Sequence, residues 1–284
     1  MRGVHTALVT PFDASGEVDW EAYANLATRQ LQGGVHGLVP CGTTGEAPTL
    51  TADEWCKLLQ MTKEICADKV PVTVGVGTNS TATTVARIQR AQELGADAGL
   101  MVFPYYNKPN DEGLRAHVTQ ALSVGLPLVL YHVPGRTAQH LSAPLLAELT
   151  SMPGVIALKE ATGDLSYAGD VLTTTSTPVL SGDDFTFLPL MALGGSGVIS
   201  VVSNVAPART VRIYEAFQMG AIEEARSLMQ QLLPLVRFLF TVSNPVPCKA
   251  ALAELGLCEK TVRGPLAAYN GPGVRSLLDE LEIT

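Results

Sequence analysis

Cysteine is scarce in this chain. There are five among 284 residues, at positions 41, 56, 66, 248 and 258, widely spaced and with no CxxC pair. That spacing excludes a disulfide framework and a zinc ribbon; free thiols in a reducing cytoplasm fit instead. Cys41 precedes a distinctive loop, but a small buried residue is the commoner role. Histidine is equally sparse: no two of the five stand at metal-ligand spacing, so no metal site is expected. Charged residues make up only 16% of the chain, with a formal net charge of −8 and no basic stripe. Nucleic acid is thereby an unsuitable partner. The acidic field also disfavours small anions, so an anionic substrate requires a local cation. No apolar run approaches the length of a membrane span, so no membrane contact is expected. The N-terminus, Met1-Arg2-Gly3-Val4-His5-Thr6, turns straight into a strand without a signal-peptide layout, and a cytoplasmic location is expected. No glycine-rich dinucleotide fingerprint follows that strand; Thr10-Pro11-Phe12-Asp13 stands there.

What is present is a 46% hydrophobic chain, enough for a sizeable core, in which short apolar runs alternate with amphipathic helical stretches. The runs begin near Val4–Val9, Gly37–Pro40, Val72–Gly75, Gly99–Phe103, Leu128–His132, Val155–Lys159, Val179–Ser181 and Val198–Ser200. Helical patterns fill the intervals, at Asp19–Gln32, Thr51–Ala67, Thr81–Leu94, Glu112–Ser123, Ala143–Leu149, Tyr167–Leu172, Phe185–Leu193 and Ala206–Gln218. Thr51-Ala52-Asp53-Glu54 is a capping box that marks one helix start. Strands that alternate with helices pair in parallel, because parallel strands need a crossover. About eight such units predict an α/β protein, a (β/α)8 TIM barrel, with an open doubly wound sheet as the alternative. After Ala221 the alternation stops. Ile222–Val242, interrupted by Pro234, and then Pro247–Leu255 and Val274–Leu281 read as helices with no strand between them. The expected organisation is a catalytic barrel over 1–221 and a C-terminal helical region over 222–284.

Active sites of such barrels gather at the carboxyl ends of the strands. The sixth strand ends in Lys159, followed by Glu160-Ala161-Thr162-Gly163. An ammonium held against apolar walls loses hydration, and the neutral amine it becomes attacks carbonyls to form a Schiff base. A lysine snorkelling out of a strand end is the plainer alternative. Tyr131 closes the fifth strand, and neighbouring strands lie roughly 4.8 Å apart, so a phenol comes beside the amine and is able to move protons. Gly42-Thr43-Thr44-Gly45 offers backbone amides and two hydroxyls, a nest for a carboxylate, or else an ordinary turn. Arg136, in the loop Pro134-Gly135-Arg136-Thr137, presents a planar fork that suits a carboxylate, unless it is simply solvated. Gly194-Gly195-Ser196-Gly197 resembles a phosphate cradle, but it precedes the last strand and so lies on the opposite face. His132 follows Tyr131 and by alternation points the other way.

These motifs together resemble the dihydrodipicolinate synthase family. The resemblance rests on Gly42-Thr43-Thr44-Gly45-Glu46, Pro104-Tyr105-Tyr106-Asn107, Tyr131-His132-Val133-Pro134-Gly135-Arg136-Thr137, Lys159-Glu160-Ala161-Thr162-Gly163, Ser181-Gly182-Asp183-Asp184 and Gly197-Val198-Ile199-Ser200. It runs from about residue 3 to the C-terminal helices. The resemblance implies a catalytic set of Lys159, Tyr131, Thr43 and Tyr106: Lys159 forms an imine with pyruvate, and the other three make a proton relay with Tyr106 supplied by a neighbouring subunit. It implies that Thr43 and Thr44 hold the pyruvate carboxylate, that Arg136 takes the carboxylate of L-aspartate-4-semialdehyde, and that Gly182 and Ile199 line the pocket. No metal or organic cofactor is implied, and a homotetramer, a dimer of dimers, is. The reaction is the condensation that commits carbon to diaminopimelate and lysine. The wider class I aldolase superfamily, which includes N-acetylneuraminate lyase, shares the lysine and the tyrosine, so a sugar-acid lyase is the second reading. A non-catalytic keto-acid-binding barrel is the third.

One departure from the family pattern has a consequence. In lysine-inhibited relatives, histidines and an acidic residue help form an effector site at the tight dimer interface. The matching positions here carry Ala52, Trp55 and Thr83, while Asn79 and Tyr105 are kept. Loss of the carboxylate removes the natural partner of the effector's ammonium. Inhibition by L-lysine is expected to be weak or absent; a steady-state titration that shows strong inhibition at sub-millimolar L-lysine contradicts the expectation.

Overall fold

A computed structural model describes residues 1–284. Its eight strands are β1 (Gly3–Ala7), β2 (Gly37–Val39), β3 (Thr73–Gly75), β4 (Ala98–Val102), β5 (Leu128–His132), β6 (Val155–Glu160), β7 (Val179–Ser181) and β8 (Gly197–Ser200). All named pairings are parallel, in the order β2-β1-β8-β7-β6-β5-β4-β3. The circle closes between β2 and β3 through a parallel bridge from Leu38 to Val72 and the bond from the Gly75 amide to the Pro40 carbonyl at 3.0 Å. This is the predicted (β/α)8 barrel. Between β1 and β8 the backbones approach so closely that a Cβ on Gly197, at φ +144°, would lie 2.1 Å from the Gly3 carbonyl oxygen. Only glycine fits that junction.

The crossover helices are α1 (Trp20–Gln32), α2 (Ala52–Cys66), α3 (Thr81–Glu93), α4 (Asp111–Leu122), α5 (Pro134–Thr137), α6 (Ala143–Thr150), α7 (Leu165–Thr174), α8 (Phe187–Ala192) and α9 (Pro207–Gln218). Side chains of Asp19, Thr51, Ser80, Asn110, Ser142 and Asp164 each cap a helix by accepting from an amide of its first turn. Three further helices follow without a strand: α10 (Ile222–Leu239), α11 (Val246–Glu254) and α12 (Val274–Glu280). α10 continues past Pro234 and stops at Leu239, short of the expected Val242. No helix is long and apolar enough to cross a membrane.

Three one-turn helices, at Ala47–Thr49, Pro134–Thr137 and Val202–Asn204, have no counterpart in the sequence reading. A single turn contains too few residues to show a 3.6-residue period. Arg136 therefore rides on α5 rather than in a free loop.

Burial divides into two shells. Leu58, Leu59, Ile88, Val118 and Leu146 belong to the large core between sheet and helices. Ala7, Val39, Leu100, Val129, Ala157, Leu180 and Ile199, from seven different strands, fill the barrel interior. Strand side chains alternate, so the residue two positions beyond Ala157 on the same face is Lys159, and two beyond Val129 is Tyr131. The inner packing thus carries those two side chains to the barrel mouth. The capping box at Thr51 is formed in both directions, with Glu54 N to Thr51 Oγ1 at 3.2 Å and Thr51 N to Glu54 Oε2 at 2.8 Å. Thr51→Ala is expected to lower unfolding free energy by about 1 kcal/mol in denaturant titrations.

Candidate active site

Tyr131 and Lys159 are cross-strand partners in the register of β5 and β6. Both are buried, and the Lys159 Nζ lies 4.2 Å from the centroid of the Tyr131 ring. The Lys159 side chain makes no ion pair and no hydrogen bond within the chain. Burial drives its ammonium down from the ordinary 10.5 to about 7; the Asp184 carboxylate opposes that fall and the Arg136 guanidinium adds to it. A substantial fraction of the amine is therefore neutral near pH 7. Burial pushes the Tyr131 phenol up, while Arg136 and the nearby Thr43 hydroxyl pull it down.

Two adjoining cavities of about 350 Å³ each open at the carboxyl ends of the strands. Thr43, Tyr131 and Arg136 line both of them. Lys159, Thr44, Gly182 and Asp183 line only the second of them. A Cβ added to Gly182 would stand 2.9 Å from Lys159 Cε, so the absence of a side chain there makes room for the lysine. Ile199 lies lower, wholly buried in the interior layer. Neither the Thr43 nor the Thr44 amide donates to an acceptor in the chain. The two N–H groups and the Thr43 hydroxyl remain available to an anion. Arg136 forms no ion pair and is exposed on α5.

Tyr106 stands apart from this group. It is 89% exposed, with φ +74°. A bulky residue in the left-handed region is strained, and such strain concentrates at functional positions. Its neighbour Tyr105 lines the first cavity, which Lys159 does not border. His132 turns outward from the barrel, among Phe103, His140 and Tyr167, and burial lowers it to about 4. No three His, Cys, Asp or Glu side chains gather as a metal site. Ala52, Trp55 and Thr83 border a separate cavity with Arg87 and Arg90 and no carboxylate; Trp55 itself is buried, its indole N–H donating to the Gly75 carbonyl at 3.0 Å.

Sequence reasoning missed two neighbours of the site. Asp184, just past β7, is buried, with Ser200 Oγ donating at 2.5 Å and the Val201 and Val202 amides at 2.9 and 3.2 Å. Burial raises it to about 6 against those bonds. It sits in the quoted Ser181-Gly182-Asp183-Asp184 run, where its charge was the available signal. Asn244, between α10 and α11, donates from Nδ2 to Thr44 Oγ1 at 2.8 Å and lines the cavity beside Lys159. Two hundred residues separate the pair, and nothing in the sequence signals the contact.

A closed parallel barrel with an amine and a phenol at its carboxyl-terminal mouth defines this chain as an enzyme of the (β/α)8 class with lyase-type chemistry. A model of the dihydrodipicolinate synthetase family matches residues 1–281. The chain is 41% identical to the 4-hydroxy-tetrahydrodipicolinate synthase of Thermodesulfovibrio yellowstonii, over 99% of this chain and 97% of that one. It is 46% identical to the enzyme of the same name from Thermomicrobium roseum, over 94% and 89%. The crystal structure of dihydrodipicolinate synthase from Thermotoga maritima superposes with a TM-score of 0.97 at 41% identity, covering 99% of each chain. The chain belongs to the dihydrodipicolinate synthetase family.

Because imine formation needs the neutral amine, reductive trapping of a keto acid at Lys159 is expected to rise with pH through about 7 and level off above it. Asp184→Asn removes the carboxylate that favours the charged form, so the inflection should move to lower pH. Trapping measured against pH in both proteins checks this, and an inflection that moves upward contradicts the assignment.

Proposed function

We propose that this chain condenses pyruvate with L-aspartate-4-semialdehyde through a Schiff base on Lys159. The observation that carries the proposal is a buried, unpaired lysine beside a buried phenol, at the mouth of a barrel whose relatives bear the name of that synthase. The neutral Nζ attacks the keto carbon and water leaves, giving a cationic imine. The imine draws electrons from the adjacent methyl group, which loses a proton to become an enamine. The enamine carbon forms the new bond to the aldehyde carbon, and the aldehyde oxygen takes a proton. Tyr131, with Thr43, is suited to pass protons in both directions. Finally the amine of the second substrate attacks the imine carbon, closes the ring and releases Lys159. The product is 4-hydroxy-tetrahydrodipicolinate, with water as the other product.

In this reading the free amides of Thr43 and Thr44 receive the pyruvate carboxylate, and Arg136 pairs with the carboxylate of the semialdehyde. Gly182 and Ile199 shape the space around the imine. Tyr106 completes the relay from a second copy of the chain, which requires at least a dimer; its exposure and left-handed backbone support that role. A dimer of dimers in the cytoplasm, with all five thiols free, completes the proposal.

Borohydride reduction in the presence of pyruvate is expected to add one pyruvate-derived group at Lys159, seen by mass spectrometry, and Lys159→Ala should abolish it. Arg136→Ala should retain trapping while raising KM for the semialdehyde by roughly tenfold or more, since a bidentate charged contact is lost. A wild-type chain that traps no pyruvate, or cleaves sugar acids in preference to cyclising the semialdehyde, would falsify the proposal.

A further inference from the structure

The turn that offers its amides to a carboxylate is held in an unfavourable shape. Cys41 and Glu46, at its two ends, both adopt left-handed backbone angles, φ +56° and +54°. Neither is glycine, and each such residue costs about 1–3 kcal/mol unless its surroundings hold it. Within the turn, Gly45 N and Ala47 N donate to the Gly42 carbonyl at 3.1 and 3.2 Å, and Thr10 Oγ1 donates to the Gly45 carbonyl at 2.8 Å.

The Glu46 side chain is also buried, and it meets Lys249 on α11. The ammonium lies 2.5 Å from Glu46 Oε1, with side-chain exposures of 0% for the lysine and 1% for the glutamate. Oε1 has no partner besides this ammonium. The other oxygen, Oε2, accepts from the Arg263 amide at 2.9 Å. Lys249 Nζ donates to the Thr261 carbonyl at 2.9 Å and lies 3.9 Å from the centroid of the Phe12 ring. The pair is thus tied to the C-terminal region on one side and to the turn on the other.

A buried ion pair is a poor device for stability, since apolar replacements of similar volume are often as stable or more so. It does fix geometry. We infer that Glu46 and Lys249 are a positioning pair, which locks the Gly42–Glu46 turn so that the Thr43 and Thr44 amides meet the keto-acid carboxylate. Asn244 adds a second tie from the same C-terminal region, through its bond to Thr44 Oγ1. The inference rests on the carboxylate role assigned to that turn above.

Three variants test it: Glu46→Gln, which keeps the shape and the Oε2 acceptor, Lys249→Met, and the double change, which leaves no unpaired buried charge. The readout is the pyruvate concentration that half-saturates borohydride trapping, taken on every variant that keeps the wild-type unfolding midpoint. Half-saturation should rise roughly tenfold, with complete labelling at saturating pyruvate and with KM for the semialdehyde within about twofold of wild type. Variants that fold normally and half-saturate within about twofold of wild type overturn the inference. A wild-type chain that traps nothing instead overturns the functional reading on which it rests.

Discussion

The whole site depends on the desolvation of one ammonium. Lys159 is at the end of a strand whose preceding inward residue, Ala157, is packed in the barrel interior, and its own side chain is enclosed with it. The fall from 10.5 to about 7 corresponds to about 5 kcal/mol of discrimination against the charged form. Two influences work the other way. The Asp184 carboxylate favours the cation, and the face of the Tyr131 ring attracts it by up to about 2 kcal/mol when desolvated. Burial outweighs both, because Asp184 already spends its oxygens on Ser200, Val201 and Val202 and forms no contact pair with the lysine. The amine is kept near the balance point, neutral enough for the proposed attack and basic enough for the proposed imine to be an electron sink.

The same enclosure imposes a division of labour on the fold. A desolvated amine with a carboxylate directly against it would stay protonated, so recognition of anions has to come from groups of positive or donor character. The barrel supplies these from the turn after β2 and from α5; after β7, Asp184 is satisfied by the Ser200 hydroxyl and the Val201 and Val202 amides, and Asp183 lines the cavity with Lys159 without an ion pair to it. The turn after β2 then needs support, since two of its residues sit in left-handed conformations. Part of that support comes from α11 and the segment before it, which lie outside the eight barrel units. The C-terminal helices are thus coupled to the site through side chains, although they contribute no strand to the barrel.

Much of this was legible in the sequence, and the boundary of legibility has a physical basis. Periodicity located all eight strands and the helices between them, because each is long enough, or apolar enough, to leave a repeating pattern. Lys159, Tyr131, Thr43, Thr44 and Arg136 were visible as polar chemistry at strand ends, a position that a parallel barrel turns into one face. The one-turn helix that carries Arg136 was not visible, since four residues show no period. Nor was Asn244, whose bond to Thr44 spans 200 residues, or the Glu46–Lys249 pair, whose members are separated by most of the chain. Charged residues are so commonly exposed that a lysine in a helical pattern gives no hint of full burial. Tyr106 belongs to a third kind. Its motif was readable, but a single chain leaves it on the surface, away from the amine.

Net charge sets one last constraint on how the site works. The chain carries −8, and both proposed substrates carry a carboxylate. Screening confines a distributed surface charge to about 8–10 Å at physiological salt, so the overall field weakens approach less than it first suggests. Inside the cleft the balance reverses. Arg136 and Arg87 both line the first of the two cavities, no carboxylate lines it with them, and neither is taken up in an ion pair. Two guanidinium groups without ion-pair partners therefore offset the acidic exterior at that cavity. Arg136 also helps to keep Lys159 neutral, so in the proposed reaction the group that pairs with the second substrate would also hold the amine ready for the first. Pairing Arg136 with a substrate carboxylate cancels part of that effect and shifts the amine toward its charged form. In the proposed reaction this favours imine formation at Lys159 while the Arg136 guanidinium is unpaired.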